Sequence, residues 1–204
     1  MAEVKLRELK ASDYALLAEM INAEWKFDLY SDKNGMKMAL HYLLSCVDNS
    51  NVTEVLEVDG KTSGILVIRD MDGPLIDKKE ESDALLSEIS GDPGLDIYLK
   101  DFEILHDTYE EFAKVYKQPE WSEMRLLILS EDVKGMGLGR LLFNEAESVS
   151  RSSGMTGLFF YTDTDCNVGF YDHIGAERIC SKQISLMGEE LNIFGYRYLF
   201  GTLS

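Results

Sequence analysis

The chain has 204 residues, the size of one ordinary globular domain. Its 45% apolar and 28% charged shares exclude intrinsic disorder and collagen-like or repeat structure. Lys and Arg number 20 against 37 Asp and Glu, a formal net charge of −17. That field repels phosphate backbones and anionic lipid surfaces, so neither nucleic-acid nor membrane partners are expected, while cationic partners are admitted.

The longest apolar runs, Ile65–Ile68 and Leu126–Leu129, are far short of the ~20 residues that span a bilayer. Met1–Arg7 has no apolar stretch of signal-peptide type. Cys46, Cys166 and Cys180 are scattered and show no CxxC spacing, so neither a disulfide framework nor a metal site is indicated. A reducing, cytoplasmic compartment is the expectation.

In chain order, Val4 to Leu9 alternates as a short strand, and Ser12-Asp13 is placed to cap a helix with apolar Leu16, Leu17, Met20 and Ile21. An aromatic loop from Glu24 to Gly35 follows, then a helix from about Met36 to Val47. Val52 to Val58 and Gly64 to Arg69 read as a hairpin around Asp59-Gly60. Residues 70 to 123 form a helical insert, with patterns over Asp77 to Ile89 and Asp96 to Tyr116 split by Gly91-Asp-Pro-Gly94. The insert holds 16 acidic and 5 basic residues, a net −11. Its aromatic stripe of Tyr98, Phe102, Tyr109, Phe112 and Tyr116 reads as the buried face of an amphipathic helix.

Arg125 to Leu129 is a β-type run leading into Lys134-Gly-Met-Gly137-Leu-Gly139-Arg140 and a helix from Leu141 to Ser152. A strand over Leu158 to Tyr161, a short helix over Asn167 to His173, and strands over Glu177 to Leu186 and Asn192 to Leu199 close the chain. A strand running through a glycine turn into a helix is an anion site. The missing Cβ atoms admit a ligand, and the helix start presents free N–H groups and the positive end of its dipole. Neither G-x-x-x-x-G-K-[ST] nor G-x-G-x-x-G fits: the third glycine position of the latter is Leu142.

Here the sequence resembles the GCN5-related N-acetyltransferase (GNAT) superfamily. Lys134-Gly-Met-Gly137-Leu-Gly139 matches its [Q/R]-x-x-G-x-[G/A] acetyl-CoA signature, with Lys for Gln or Arg. Phe170-Tyr171-Asp-His-Ile-Gly175-Ala176 matches its aromatic pair about 30 residues downstream. The resemblance implies an α/β (α+β) fold: a mixed, mostly antiparallel sheet flanked by helices, one acetyltransferase domain over 1–204, with the acidic insert between strands three and four.

It further implies that acetyl-CoA is the co-substrate. The backbone of Leu127, Ile128 and Leu129 pairs with its pantetheine arm. The amides of Lys134, Gly135, Met136, Gly137, Leu138, Gly139 and Arg140 hold its pyrophosphate. An oxyanion donor comes from the amide of Leu127 or Ile128. A primary amine attacks the thioester directly, and Tyr171 protonates the leaving thiolate. Asn167 or Thr164 contacts the pantetheine.

No base stands out: Glu123 reads as a solvated loop carboxylate before the fourth strand, His106 and His173 as surface, and His41 as a core histidine. Cys166 has no His–Asp pairing to make it a nucleophile. The acceptor, a small-molecule or peptide amine, would meet Trp25 to Tyr30, the Met187-Gly188 hairpin and the insert. That acidic insert suits a cationic acceptor, a solubilising surface or a homodimer contact. The competing function is a non-catalytic acyl-CoA-binding module whose insert binds a protein.

Overall fold

The computed structural model describes residues 2–201. Met1 and residues 202–204 of the expected domain lie outside the described residues. Seven strands, β1 (Val4–Glu8), β2 (Val52–Val58), β3 (Lys61–Arg69), β4 (Trp121–Leu129), β5 (Gly157–Asp163), β6 (Glu177–Leu186) and β7 (Glu189–Leu199), form one sheet in the order β1-β2-β3-β4-β5-β7-β6. Every pairing is antiparallel except β4 with β5. The helices are α1 (Tyr14–Trp25), α2 (Gly35–Val47), α3 (Lys79–Glu88), α4 (Leu95–Tyr116), α5 (Leu138–Ser152) and α6 (Val168–His173). The element order matches the sequence expectation.

Strand alternation sorts the core. Val55, Ile65, Val67, Leu126 and Ile128 face α1 and α2, where Leu17, Ile21, Met38 and Leu43 are fully buried. Leu66, Met124, Leu158 and Phe160 face the opposite way, onto Leu142, Phe143 and Ala146 of α5. Phe159, Ile184 and Ile193 return to the α1–α2 side, where Phe112 of α4 covers them. The insert's long helix therefore covers the β5–β7–β6 half of the sheet with Tyr109 and Phe112, while Tyr98 and Phe102 of its aromatic stripe pack into the α1–α2 core and Tyr116 is exposed.

Three local readings change. β4 begins at Trp121, four residues before the apolar run, because its polar start is satisfied internally: the Ser122 hydroxyl donates to that of Ser150 at 2.6 Å. The α5 helix begins at Leu138 instead of Leu141, since Gly137 takes a left-handed φ of 79° and turns the chain straight into it. Asp13 makes no side-chain cap for α1. It is turned inward, 2% exposed, accepting from Arg7 at 2.7 and 2.8 Å and from Thr62 at 2.7 Å.

Candidate active site

β4 and β5 pair from Trp121↔Gly157 to Met124↔Phe160 and then part. At the same level the β3–β4 register slips: Val67 faces Leu126 while Ile68 faces Met124. Arg125 is thus the extra residue of a β-bulge, which twists the strand away from its neighbour. The Ser130 N–H donates to Ser63 on β3 at 2.9 Å. Alternation then turns Ile128 toward β3 as well, and points the peptide groups of Leu127 and Leu129 into the opened slot. The slot's inner end is a cavity of about 50 Å³, lined by Trp25, Tyr42, Arg125, Leu127, Thr162, Asp163, Cys166 and Tyr171 among others.

The glycine turn stands at the slot's other end. Gly135 and Gly137 have φ of 80° and 79°, and a Cβ added at either meets nothing within 4 Å. The space in front of the loop is open, and what requires glycine is the backbone conformation. A Cβ at Gly139 would meet the Phe170 ring at 3.6 Å, an ordinary contact. The first α5 bond runs from the Leu141 N–H to Gly137 at 3.2 Å, so the amides of Leu138, Gly139 and Arg140 stay outside the helical ladder. The Lys134 side chain is pinned between Glu24 at 2.9 Å and Glu131. Arg140 makes no ion pair among the described residues, and its Nε donates to Asn144.

Tyr171 lines the same cavity as Leu127. Its ring packs against Phe160, Phe170 and Tyr196, with centroids at 4.8, 5.2 and 5.8 Å. Burial, reinforced by Cys166 and Asp163, raises the phenol above its ordinary range and keeps it protonated. Asn167 is exposed at the start of α6, and Thr164 is exposed with its hydroxyl accepting from the Asn192 amide at 3.4 Å. Cys166, between them, reaches the cavity. Burial first, then Asp163, pushes its thiol up to about 12, so it has no thiolate character at neutral pH.

Glu123 is neither solvated nor in a loop. It lies inside β4 at 0% exposure, accepting from Arg69 at 3.0 Å and Arg125 at 3.3 Å. His41 is the core histidine expected, hydrogen-bonded to Tyr98. His106 is half-buried, and joins Tyr42, Tyr109, Arg125 and Tyr161 around a second small cavity under α2 and α4. His173 is exposed. The three acceptor-side segments meet at buried Asp101 of α4, which accepts from the Tyr30 hydroxyl at 3.0 Å and the Met187 amide at 2.7 Å.

Sequence reasoning passed over Arg125, Asp163, Thr162, Tyr42, Tyr109 and Tyr161. Asp163, at the end of β5, accepts from Trp25 Nε1 at 3.3 Å and from the amides of Asp165 and Cys166. Burial pushes its carboxyl above the usual range. The Thr162 hydroxyl is buried with no hydrogen-bond partner among the described residues. A lone Arg opening an apolar strand and a Thr-Asp closing another were the available signals.

No family model matches the sequence, and no curated protein sequence does. Solved structures match nearly the whole chain. One is the ribosomal-protein-S18-alanine N-acetyltransferase from Escherichia coli, with TM-score 0.57 and 10% identity over 99% of this chain and 97% of that one. Another is an acetyltransferase of the GNAT family from Streptococcus pneumoniae, with TM-score 0.54 and 16% identity over 98% and 100%. A third, the PaiA N-acetyltransferase from Thermoplasma acidophilum, was solved in complex with coenzyme A; it gives TM-score 0.52 and 14% identity over 97% and 99%. Likeness at such identities is a likeness of fold. The parted β4–β5 pair, with a glycine turn at one end and Tyr171 beside the cavity, is built on the fold of the GNAT acetyltransferases.

Proposed function

We propose that the whole chain is one acetyltransferase domain that moves an acetyl group from acetyl-CoA to a primary amine. The observation that carries this reading is the slot itself. It is supported by β4 peptide groups left unpaired where β5 departs, by a left-handed glycine turn with spare helix amides, and by a protonated tyrosine beside the Leu127 cavity.

These residues fit acetyl-CoA. The Leu127 and Leu129 peptide groups offer a strand edge to an amide-bearing arm. The amides from Gly137 to Arg140, with the Arg140 guanidinium, suit a pyrophosphate. When bound, acetyl-CoA supplies an activated acetyl thioester. The Leu127 amide, the one of the two candidates turned into the slot, polarises the carbonyl. A neutral acceptor amine attacks that carbonyl carbon. Tyr171 holds a proton on its phenol oxygen and gives it to the departing sulfur, and the proton shed by the attacking nitrogen restores the phenol. Of Asn167 and Thr164, neither lines the inner cavity, so any contact of theirs with the arm lies nearer the rim.

The acceptor enters under α4, whose outward carboxylates Glu103, Asp107 and Glu110 raise the local concentration of a cationic amine. The free thiols suit a reducing cytoplasm. Among the described residues, no helix is long and apolar enough to cross a membrane.

The test is acetyl-CoA titration by calorimetry, with CoA release followed over a panel of primary amines. Binding together with turnover supports the reading. Binding with no turnover on any amine makes the chain an acyl-CoA-binding module instead.

A further inference from the structure

Behind the slot, two guanidiniums share one carboxylate. Glu123 accepts from Arg69 at 3.0 Å and from Arg125 at 3.3 Å, and the other Arg125 contact is the Ser45 carbonyl at 3.4 Å. Both Arg125 bonds lie beyond the usual N–H···O range, so its fork is only loosely engaged. Arg69 leans on Asp70 at 3.8 Å, but Asp70 also takes Lys117 at 3.0 Å. The cluster therefore has three cations for two carboxylates. Among the described residues, Glu123 is the one carboxylate within ion-pair distance of Arg125, so this guanidinium is under-partnered although Asp163 lines the same cavity.

The Arg125 side chain is 7% exposed. A cation removed from water with half a partner is costly, and a ligand anion relieves that cost. The unpartnered, buried Thr162 hydroxyl lines the same cavity and offers a second polar contact to an occupant. Asp163, on the neighbouring strand, accepts from Trp25 and presents carboxyl oxygens to the same cavity. The cavity holds a few heavy atoms, which suits the planar fork of a guanidinium meeting a carboxylate.

We propose that the acceptor is an amine that also carries a carboxylate, with Arg125 binding the carboxylate and Asp163 facing the amine. This rests on the acetyltransferase reading. It narrows that reading to acceptors of amino-acid type, and the acids outside α4 then steer only the ammonium end.

The experiment pairs each acid with the same molecule lacking its charge. N-acetyl-glycine, -leucine, -phenylalanine and -glutamate, and their C-terminal amides, are titrated calorimetrically into CoA-loaded wild type. In parallel, kcat/KM is measured for the free amino acids and for the amines left when the carboxylate is removed. The acids should bind at least about tenfold more tightly than the amides, the scale of a hydrogen bond to a charged group. The kcat/KM ratio should show the same preference.

Arg125→Gln should erase both preferences and leave acetyl-CoA affinity unchanged, with Glu123 still paired to Arg69. Arg125→Lys should restore part of them. Equal binding of acid and amide to wild type overturns the proposal, and so does a preference that survives Arg125→Gln. Acid-selective binding without turnover of any amine supports the Arg125 assignment while overturning the acetyltransferase reading. Turnover favouring the carboxylate-free amines does the reverse.

Discussion

The two ends of the slot are made of different material. The donor end is backbone: the seven residues Lys134–Arg140 and alternate peptide groups of β4. The acceptor end is side chains: Tyr42 from α2, Tyr109 from α4, Arg125 from β4 and Asp163 from β5. A backbone site needs residues that stay out of the way, and glycines at fixed spacing advertise that. A side-chain site is assembled by topology from distant residues, none with a local signature. The donor end is open to solvent at Gly135 and Gly137, whereas the acceptor end is a desolvated cluster in which every charge needs its partner.

Tyr171 stands where the two ends meet, and its removal should have the largest effect. Tyr171→Phe keeps the ring contacts with Phe160, Phe170 and Tyr196, so fold and acetyl-CoA affinity should hold. Loss of the proton donor should lower kcat at least tenfold and up to about 10²–10⁴. Because the phenol is raised above its ordinary range, its ionisation should not depress kcat up to pH 10. Normal turnover in the variant, or an alkaline loss below pH 10 absent from it, would show that the tyrosine only packs or titrates normally.

The acceptor end should be the more fragile to a charge change. Glu123→Gln leaves Arg125 buried without its carboxylate and Arg69 with only Asp70 at 3.8 Å, and breaking such a buried pair costs about 3–5 kcal/mol. Urea unfolding should show that loss. Glu110→Gln on exposed α4 should stay within about 0.5 kcal/mol. Equal costs would mean that the buried triad is not under electrostatic tension.

This difference also explains what the sequence made legible. All seven strands and six helices were readable from periodicity and turn residues, because each carries its apolar face within its own segment. The glycine turn and Phe170-Tyr171 were readable for the same local reason. Glu123 was misplaced because an acidic residue before an apolar run normally lies in solvent; Arg69, 54 residues away, and Arg125 together let it lie in the strand. Arg125 looked like the start of a strand, and nothing nearby reports that β5 would leave it at a bulge. The tie of Lys134 to Glu24 was not legible, because Glu24 lies on another element.

A third site, at the sheet's β1 edge, gives a reference outside both ends. Asp13 is held at about 2 against an ordinary 3.8, chiefly by the Arg7 guanidinium. A carboxyl lowered by folding contributes stability above its unfolded pKa, and that contribution is lost as pH falls through the folded value. About 2 kcal/mol should therefore be present above pH 4 and disappear between pH 4 and 2. Asp13→Asn should flatten that part of the stability–pH curve while leaving the acetyl-CoA affinity at pH 7 untouched. A variant as pH-sensitive as wild type in this window would move the acid response to other carboxylates.

The smallest effects should come from the glycine turn, where two positions separate conformation from space. Gly137 sits at φ 79°, so a β-branched residue there is strained by about 1–2 kcal/mol, yet an added Cβ touches no protein atom. Gly137→Val should fold with a slightly lowered Tm, and its side chain should fill the open space assigned to the pyrophosphate. The rise in Tm that acetyl-CoA gives by mass action should then vanish. Gly139 lies inside α5 without a positive φ, and its Cβ would face Phe170 at a normal distance. Gly139→Ala should therefore keep the acetyl-CoA-induced rise and gain a few tenths of a kcal/mol from lower unfolded-state entropy. Measured side by side, the pair tests whether the donor end is a backbone site. If Gly137→Val retains the full rise, the phosphates do not lie against this turn.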